Sequence, residues 1–130
     1  MNQRPNEQPA IRVTAMPADA NFNGDIFGGW IMSMMDLAAG NVASRRSRGR
    51  AVTAAVDAVN FRHPVNIGDE LSICAKVTSM GRTSVKIAAE SWQRARDGDS
   101  TFRVTQAIFT FVAIDHEGRP RPVPRDGDAT

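Results

Sequence analysis

The first half of the chain contains one long apolar stretch with the residue pattern of a helix. It starts near Gly29 or Trp30 and extends to about Arg46, and its residues are good helix formers apart from Gly40. At 100° per residue the stretch is apolar around most of its circumference, which predicts a helix enclosed by its own domain or by a partner. A short strand over residues 11–15 is expected before it.

After the helix, apolar and polar residues alternate with the period of two that marks half-buried strands. Four strands are predicted, over residues 52–61, 71–78, 85–92 and 102–114. The last is apolar on both faces from Ile108 to Ile114, as expected of a central strand or of one covered on both sides. Short turns join the four strands, which favours antiparallel neighbours. One long helix packed on an antiparallel sheet of about five strands is an α+β arrangement.

Length and composition fit one compact domain. The chain has 130 residues, of which 42% are hydrophobic, enough for a real core. Residues 1–9 are expected to be a disordered lead-in and residues 125–130 a tail, which leaves residues 10–124 as the domain. The apolar residues 26–44 include Asp36, three glycines and several polar residues, so a buried helix explains them better than a membrane span.

Cysteine and histidine content exclude some kinds of site. Cys74 is the only cysteine, so no intrachain disulfide can form, and a reducing, cytoplasmic location is expected. The N-terminal sequence lacks the apolar segment of a signal peptide. His63 and His116 stand in turn-like segments without the spacing of metal ligands, so no metal site is predicted.

Arginines form two clusters in a chain whose formal net charge is only +2. One cluster lies within residues 45–50 and the other within residues 119–125. A small ligand with several phosphates, a nucleic acid or a solvated surface would each explain such clusters.

A narrow stripe of small and polar residues interrupts the apolar helix. It consists of Ser33, Asp36, Gly40 and Ser44, with one carboxylate in the middle. A buried charge is costly unless it is paired or used, so Asp36 either pairs with an arginine, caps a backbone group or carries chemistry. Its small neighbours leave room for a ligand, which favours a catalytic base or nucleophile.

The start of the helix is a second candidate for chemistry. The N–H groups of Gly28 and Gly29 can hold a developing oxyanion, and glycine lets a carbonyl approach closely. A tight turn that only lets the helix pack is the structural alternative. Gly28 and Asp36 are about 12 Å apart along a helix, whereas a reacting carbon lies about 3–3.5 Å from both groups that act on it. If the two residues share one site, they come from two protomers of a homo-oligomer, at least a dimer.

Four sequence segments carry a resemblance to a known family. They are AMPADANFNGDIFGGWIMSMMD, VNFRHPVNIGDEL, SMGRTSVKI and AIFTFVAIDHEGRPRPVP, which occur in this order over roughly residues 11–124. Together they resemble the acyl-CoA thioesterases of the hotdog superfamily, especially the bacterial YciA-like group and the related cytosolic acyl-CoA hydrolases. The resemblance implies a curved antiparallel sheet wrapped round one long central helix, paired into a dimer, with a trimer of dimers as a larger assembly.

The resemblance also implies an activity and a set of site residues. The substrate would be a fatty acyl-CoA, hydrolysed to CoA and a carboxylic acid without a cofactor, a nucleic-acid partner or insertion into a membrane. Asp36 would act as base or nucleophile, while Gly28 and Gly29 of the facing protomer would polarise the carbonyl. Phe27 stands where many hotdog thioesterases have a histidine, which leaves the backbone as the main polariser. Further residues implied to bind substrate are Asn23, Asp25, Gly81, Arg82, Thr83 and Ser84.

For Arg82, an ordinary residue of a hairpin turn is the alternative. Two other functions also stay open. A dehydratase acting on acyl thioesters commonly uses a histidine, and neither histidine here lies in the helix or its entry turn. A non-catalytic acyl-CoA-binding module would keep the two glycines and the arginines but would not need Asp36.

Overall fold

The computed structural model describes residues 8–125, so the outer parts of the expected lead-in and tail lie outside the described residues. The elements in chain order are a strand β1 (Ile11–Thr14), a 3-10 turn (Pro17–Asp19), the helix α1 (Gly28–Ser47) and the strands β2 (Ala51–Phe61), β3 (Glu70–Met80), β4 (Ser84–Arg94) and β5 (Thr101–Ala113). The strands form one antiparallel sheet in the order β1-β3-β4-β5-β2. The predicted α+β fold, with one long helix and five antiparallel strands, is confirmed.

The strand order departs from the sequence expectation at one connection. The β3–β4 and β4–β5 connections join neighbours, as expected for short turns. The expectation is wrong for β2 and β3, which follow one another in the chain but lie on opposite sides of the sheet centre. Instead, β2 pairs with β5, and β3 pairs with β1. The strand β5 lies between β4 and β2 and is therefore an interior strand, which is one of the two alternatives that its apolar sequence predicted.

The core lies between α1 and the sheet face that it covers. Met35, Ala38 and Ala39 of the helix have no exposed surface, and neither do Ile73 of β3 and Ile87 of β4. Side chains as short as alanine let the helix backbone approach the sheet closely, while the larger residues fill the space beside them. Within residues 8–125, no helix is long and apolar enough to cross a membrane.

The strand β2 differs from the other long strands because most of its residues are exposed. One of its edges pairs with β5, and no described strand pairs with the other. Its exposed large apolar side chains are Val52, Val59 and Phe61. A long apolar edge strand is normally covered, because its unpaired backbone groups invite another strand.

Arginine side chains attach the C-terminal segment to the rest of the domain. Arg121 donates hydrogen bonds to three backbone oxygens, those of Ile114 at 2.9 Å, Ser47 at 2.9 Å and Arg50 at 3.3 Å. Ser47 is the last residue of α1, so Arg121 satisfies a carbonyl at the helix end and complements its partial negative charge. Arg121, which belongs to the second arginine cluster of the sequence, therefore has a structural role.

Candidate active site

Asp36 lies in the middle of α1, half-buried, beside an open cavity of about 330 Å³. Its Oδ1 atom accepts a hydrogen bond from the Thr53 hydroxyl of β2, with an oxygen–oxygen distance of 2.5 Å. No ion pair between Asp36 and an arginine occurs among residues 8–125. Gly40 and Ser44 of the small stripe line the same cavity, whereas the Ser33 hydroxyl donates to the Trp30 carbonyl. The carboxylate is oriented by a neutral donor and open on one side.

Thr53 was not predicted as a site residue, and a β-bulge explains why. In the pairing of β2 with β5, Thr53 is opposite Phe111 and Ala55 is opposite Thr110, so β2 has one extra residue between them. The bulge resets the alternation, because directly opposed residues share a face of the sheet. Thr53 therefore shares the face of Phe111, which is in the core under α1. Strict alternation in the sequence does not reveal such a shift.

The N-terminus of α1 forms a different cavity, of about 370 Å³. Gly28 lies against the Phe61 ring, and a Cβ atom at this position would be 3.3 Å from the nearest ring carbon. Gly29 is exposed, with open space where a Cβ would stand. The N–H groups of Trp30 and Ile31 donate to the Phe27 carbonyl, but those of Gly28 and Gly29 donate to no group among the described residues. Two donors are thus available at the positive end of the helix.

The turn before the helix is organised by a residue that sequence reasoning missed. The Asn21 side-chain oxygen accepts hydrogen bonds from the N–H groups of Asn23, at 2.9 Å, and Asp25, at 3.2 Å. Gly24 has a φ of +84°, in the region that favours glycine. The side chains of Asn23 and Asp25 are exposed, so the turn presents both to solvent. The sequence Asn21-Phe22-Asn23-Gly24 is a local signal for such a turn, because asparagine and glycine favour turn conformations.

The turn from Gly81 to Ser84 lies at the Asp36 end of the sheet. Ser84 is opposite Val112, which in turn is opposite Val52, the neighbour of Thr53. Two strand spacings place Ser84 about 10 Å from β2. Gly81 N–H donates to the Ser84 carbonyl, and a Cβ on Gly81 would be 2.6 Å from the Ser84 hydroxyl, so a larger residue at this position would displace that hydroxyl.

Backbone groups of this turn also hold its neighbours. Val123 N–H donates to the Arg82 carbonyl, and Ala113 N–H donates to the Thr83 carbonyl. The Arg82 side chain is exposed. The turn is therefore a fixed part of the domain with one cationic side chain directed away from it.

A single chain does not bring all predicted site residues together. Asp36 and Thr53 line one cavity, and Gly28 lines another beside Phe61. Because β2 runs back along the helix, Thr53 is near Asp36 and Phe61 is near the helix start. Among the described residues, no group of three or more His, Cys, Asp or Glu side chains is arranged to hold a metal ion.

Comparisons with known proteins identify the family of this chain. A model of the thioesterase superfamily matches residues 23–99. The chain is 51% identical over 120 residues to an uncharacterized acyl-CoA thioester hydrolase of Zymomonas mobilis, covering 92% of this chain and 80% of that protein. It is 42% identical over 117 residues to the acyl-CoA thioester hydrolase YciA of Escherichia coli, covering 88% of this chain and 89% of that protein.

The chain belongs to the thioesterase superfamily. A solved structure extends the similarity to the fold, namely that of a hexameric broad specificity acyl-coenzyme A thioesterase, determined as an aspartate-to-alanine mutant enzyme. It matches with a TM-score of 0.87 and 41% identity, covering 92% of this chain and 88% of that chain. The predictions of a YciA-like resemblance, a hotdog fold and a thioesterase are confirmed. The roles assigned to individual residues stay predictions.

Proposed function

We propose that this thioesterase hydrolyses acyl-CoA to free CoA and a carboxylic acid, in active sites shared between two protomers. The observation that carries the proposal is the division of the chemistry between two cavities. One holds an oriented carboxylate without backbone donors directed at it, and the other has unpaired N–H donors without a carboxylate. The similarity to acyl-CoA thioester hydrolases supports the substrate class.

The edge of β2 that pairs with no described strand provides a route by which the two halves can meet. Thr53 and Phe61 lie on either side of Asp57, which is one residue from the middle of β2. Antiparallel pairing of two β2 strands near their middles brings Thr53 of one strand close to Phe61 of the other. Asp36 is hydrogen-bonded to Thr53, and Gly28 lies against Phe61, so this pairing also brings Asp36 of one protomer close to Gly28 of the other. We therefore propose a symmetric dimer in which two equivalent sites form at once.

In the proposed site, the thioester oxygen accepts hydrogen bonds from the N–H groups of Gly28 and Gly29 of the partner subunit. Negative charge that develops on this oxygen is stabilised where the helix dipole is positive. Asp36 then either removes a proton from an attacking water or attacks the carbonyl itself to form a mixed anhydride. In both routes the bond between the carbonyl carbon and sulfur breaks. In the first route the proton that Asp36 takes from water passes to the departing sulfur, so that CoA leaves as the thiol. In the second route CoA leaves as the thiolate, and a water molecule then hydrolyses the anhydride, which releases the carboxylic acid, restores Asp36 and supplies the proton for the thiolate. Thr53 holds the carboxylate in position in either case.

Other parts of the chain support binding rather than chemistry. The turn that carries Asn23 and Asp25 borders the helix start, so these side chains are proposed to line the entrance to the site. The turn with Gly81, Arg82, Thr83 and Ser84 is proposed to contact the pantetheine and phosphate arm of CoA from the Asp36 end. A larger assembly, a trimer of dimers, is proposed because a structurally similar thioesterase is hexameric. A cytoplasmic location, where acyl-CoA is formed and used, is proposed as well.

A screen for CoA release over short, medium and long acyl chains tests the proposal. Release from at least one acyl-CoA, with an equal amount of carboxylic acid, is expected. Binding of acyl-CoA without release would instead identify a non-catalytic module, and loss of water from a 3-hydroxyacyl-CoA would identify a dehydratase. Light scattering of the active protein checks the assembly, because an active monomer contradicts the shared site.

A further inference from the structure

The cavity at the start of α1 has one wall that differs from the other apolar walls. Ile26, Ile31 and Val65 are buried and belong to the core, whereas Phe61 is 49% exposed. The Phe61 ring still approaches Gly28 so closely that a Cβ atom there would lie 3.3 Å from the ring. An aromatic ring at the edge of the domain thus lies against the backbone donors of the helix start.

The direction of the Phe61 side chain depends on a second β-bulge in β2. Asp57 is opposite Ile108 and Asn60 is opposite Gln106, so two residues of β2 face one residue of β5 between these pairs. In a regular strand, Asp57 and Phe61 would point to the same face, because they are an even number of positions apart. The extra residue in the bulge places them on opposite faces.

The pairing with β5 shows which face each residue takes. Phe61 is opposite Thr105, which has no exposed surface and alternates with Ala107 and Phe109 of the core under α1. Directly opposed residues share a face, so Phe61 points toward the helix. Asp57 points to the other face of the sheet. The bulge is therefore the reason that Phe61 reaches the helix start.

The bulge contains a residue in an unfavourable backbone conformation. Ala58 has a φ of +55°, in the left-handed region that residues with a Cβ atom rarely adopt. Its side chain is exposed, so burial does not compensate for the strain. Beyond the bulge, the Arg62 N–H donates to the Val104 carbonyl at 2.7 Å and fixes the end of β2. Strained residues persist only where the surrounding structure fixes them, and they cluster at functional sites.

In the proposed site, the Phe61 ring limits the space beside the thioester carbonyl. The carbonyl oxygen lies at the N–H groups of Gly28 and Gly29, and the CoA arm extends toward the 81–84 turn of the facing protomer. The acyl chain therefore leaves the carbonyl carbon on the other side, toward the apolar walls of the helix-start cavity. Its first carbon then lies beside the ring. A straight chain can pass along the flat ring, whereas a methyl branch at that carbon would overlap with it.

We propose that Phe61, directed by the bulge at Ala58, makes the enzyme select acyl groups that are unbranched at the carbon next to the carbonyl. The inference rests on the proposed function and adds to it the structural class of the acyl substrate. Phe61 is the specificity-determining residue. Ala58 is a positioning residue that acts through Phe61.

The test compares butyryl-CoA with isobutyryl-CoA, two isomers that differ only in the branch. The wild type is expected to have a higher kcat/KM for butyryl-CoA. Phe61→Ala should lower this preference about tenfold, since one methyl or methylene group in an apolar pocket commonly changes selectivity by at least this factor. Val59→Ala shortens an exposed side chain of the bulge and is the matched control, which should keep the wild-type preference. An unchanged preference in Phe61→Ala overturns the inference.

Substitutions of Ala58 test its positioning role. Glycine and asparagine tolerate the left-handed conformation, so Ala58→Gly and Ala58→Asn should keep the wild-type preference, and Ala58→Gly should raise the Tm. Valine disfavours this conformation, so Ala58→Val should lower the Tm and shift the preference in the same direction as Phe61→Ala. A folded Ala58→Val variant with the wild-type preference contradicts the positioning role. If Ala58→Val does not fold, a lower Tm in Ala58→Gly contradicts it instead.

A stability measurement separates this inference from the proposed function. If the wild type hydrolyses neither substrate, the proposed function fails, but the contact between Phe61 and Gly28 can still be measured. Gly28→Val should lower the Tm more in the wild-type background than in the Phe61→Ala background, because its side chain meets the ring only in the former. Equal losses in the two backgrounds show that the ring does not lie against the helix start, and they overturn the inference.

Discussion

The start and the middle of α1 differ in what they offer a substrate. At the start, Gly28 and Gly29 present backbone donors next to the Phe61 ring. In the middle, Asp36 presents a carboxylate that Thr53 holds from β2. One helix thus carries a site for negative charge and a group that carries negative charge, separated by about 12 Å.

The difference teaches why neither cavity is a complete active site. Asp36 alone would face a substrate carbonyl that no N–H group polarises. The N–H groups of Gly28 and Gly29 alone would polarise a carbonyl without a base to activate water. The exposed strand β2 runs past both regions and lacks a partner on its outer edge among the described strands. Two protomers that pair along β2 would bring the two regions together in one site.

Replacing the carboxylate should have the largest effect. Asp36→Ala is expected to lower kcat by about 10²–10⁴-fold, the usual contribution of a catalytic acid or base. Asp36 is only half-buried, so the fold should be retained, and far-UV circular dichroism checks this. CoA release is the measurement, with Asp36→Asn as a variant of matched size. Near-normal turnover by either variant would remove Asp36 from the chemistry.

Mixing two inactive variants tests whether the two regions act across protomers. Gly28→Val places a branched side chain against the Phe61 ring and is expected to block the helix start. When this variant and Asp36→Ala are refolded together in equal amounts, half of the dimers are mixed. In a mixed dimer, one site combines both substitutions and the other combines the intact Asp36 with the intact Gly28, so one of the two sites is active. About a quarter of wild-type activity is then expected.

Differently tagged chains allow the mixed dimers to be isolated, and each variant refolded alone is the control. If isolated mixed dimers stay inactive while both variants keep the native fold, the two groups do not act from different protomers.

The hydroxyl that holds Asp36 should have a smaller effect than the carboxylate. Thr53→Val keeps the shape of the side chain but removes the hydrogen bond, so kcat/KM is expected to fall about tenfold, corresponding to ~1.4 kcal/mol. Thr53→Ser restores the hydroxyl and should recover most of the activity. A loss in the serine variant as large as that in the valine variant would indicate that Thr53 acts through packing.

The smallest effect is expected outside both regions, in the turn after β5. Asp115 has a pKa below its ordinary value, mainly because the Arg119 N–H donates to its carboxylate. Its contribution to stability is therefore present above the ordinary carboxyl pKa and is lost as pH falls through the lowered value. Asp115→Asn should lower the Tm at neutral pH, and the difference from wild type should shrink at acidic pH. A difference that is constant with pH would exclude the charge as its cause.

The sequence predicted the elements well because their signals are local. The helix was expected from about Gly29 to Arg46 and extends from Gly28 to Ser47, and each predicted strand corresponds to an observed one. Apolar periodicity depends on which face of an element is buried, and that information lies within each segment. Which strand pairs with β2 depends on distant segments. The expectation that β2 and β3 are neighbours was therefore wrong, because β2 pairs with β5.

The candidate site was predicted in part for the same reason. Asp36 and the two glycines stand out as a carboxylate in an apolar helix and a flexible helix start. Thr53 does not stand out, because its position depends on a β-bulge, and the turn signal around Asn21 does not show that its side chain accepts two backbone N–H groups. Both are ordinary residues until the backbone directs their side chains.

By itself, the sequence determined that the chain forms one long apolar helix and an antiparallel sheet, and that one carboxylate and one glycine pair lie on that helix. Those conclusions follow from side-chain polarity and spacing, which act over a few residues. Only the tertiary structure decided that β2 is an exposed edge, that its bulge directs Thr53 toward Asp36, and that two arginine clusters share a pocket. These features depend on which distant segments pack together, and that choice is made by the free energy of the whole fold.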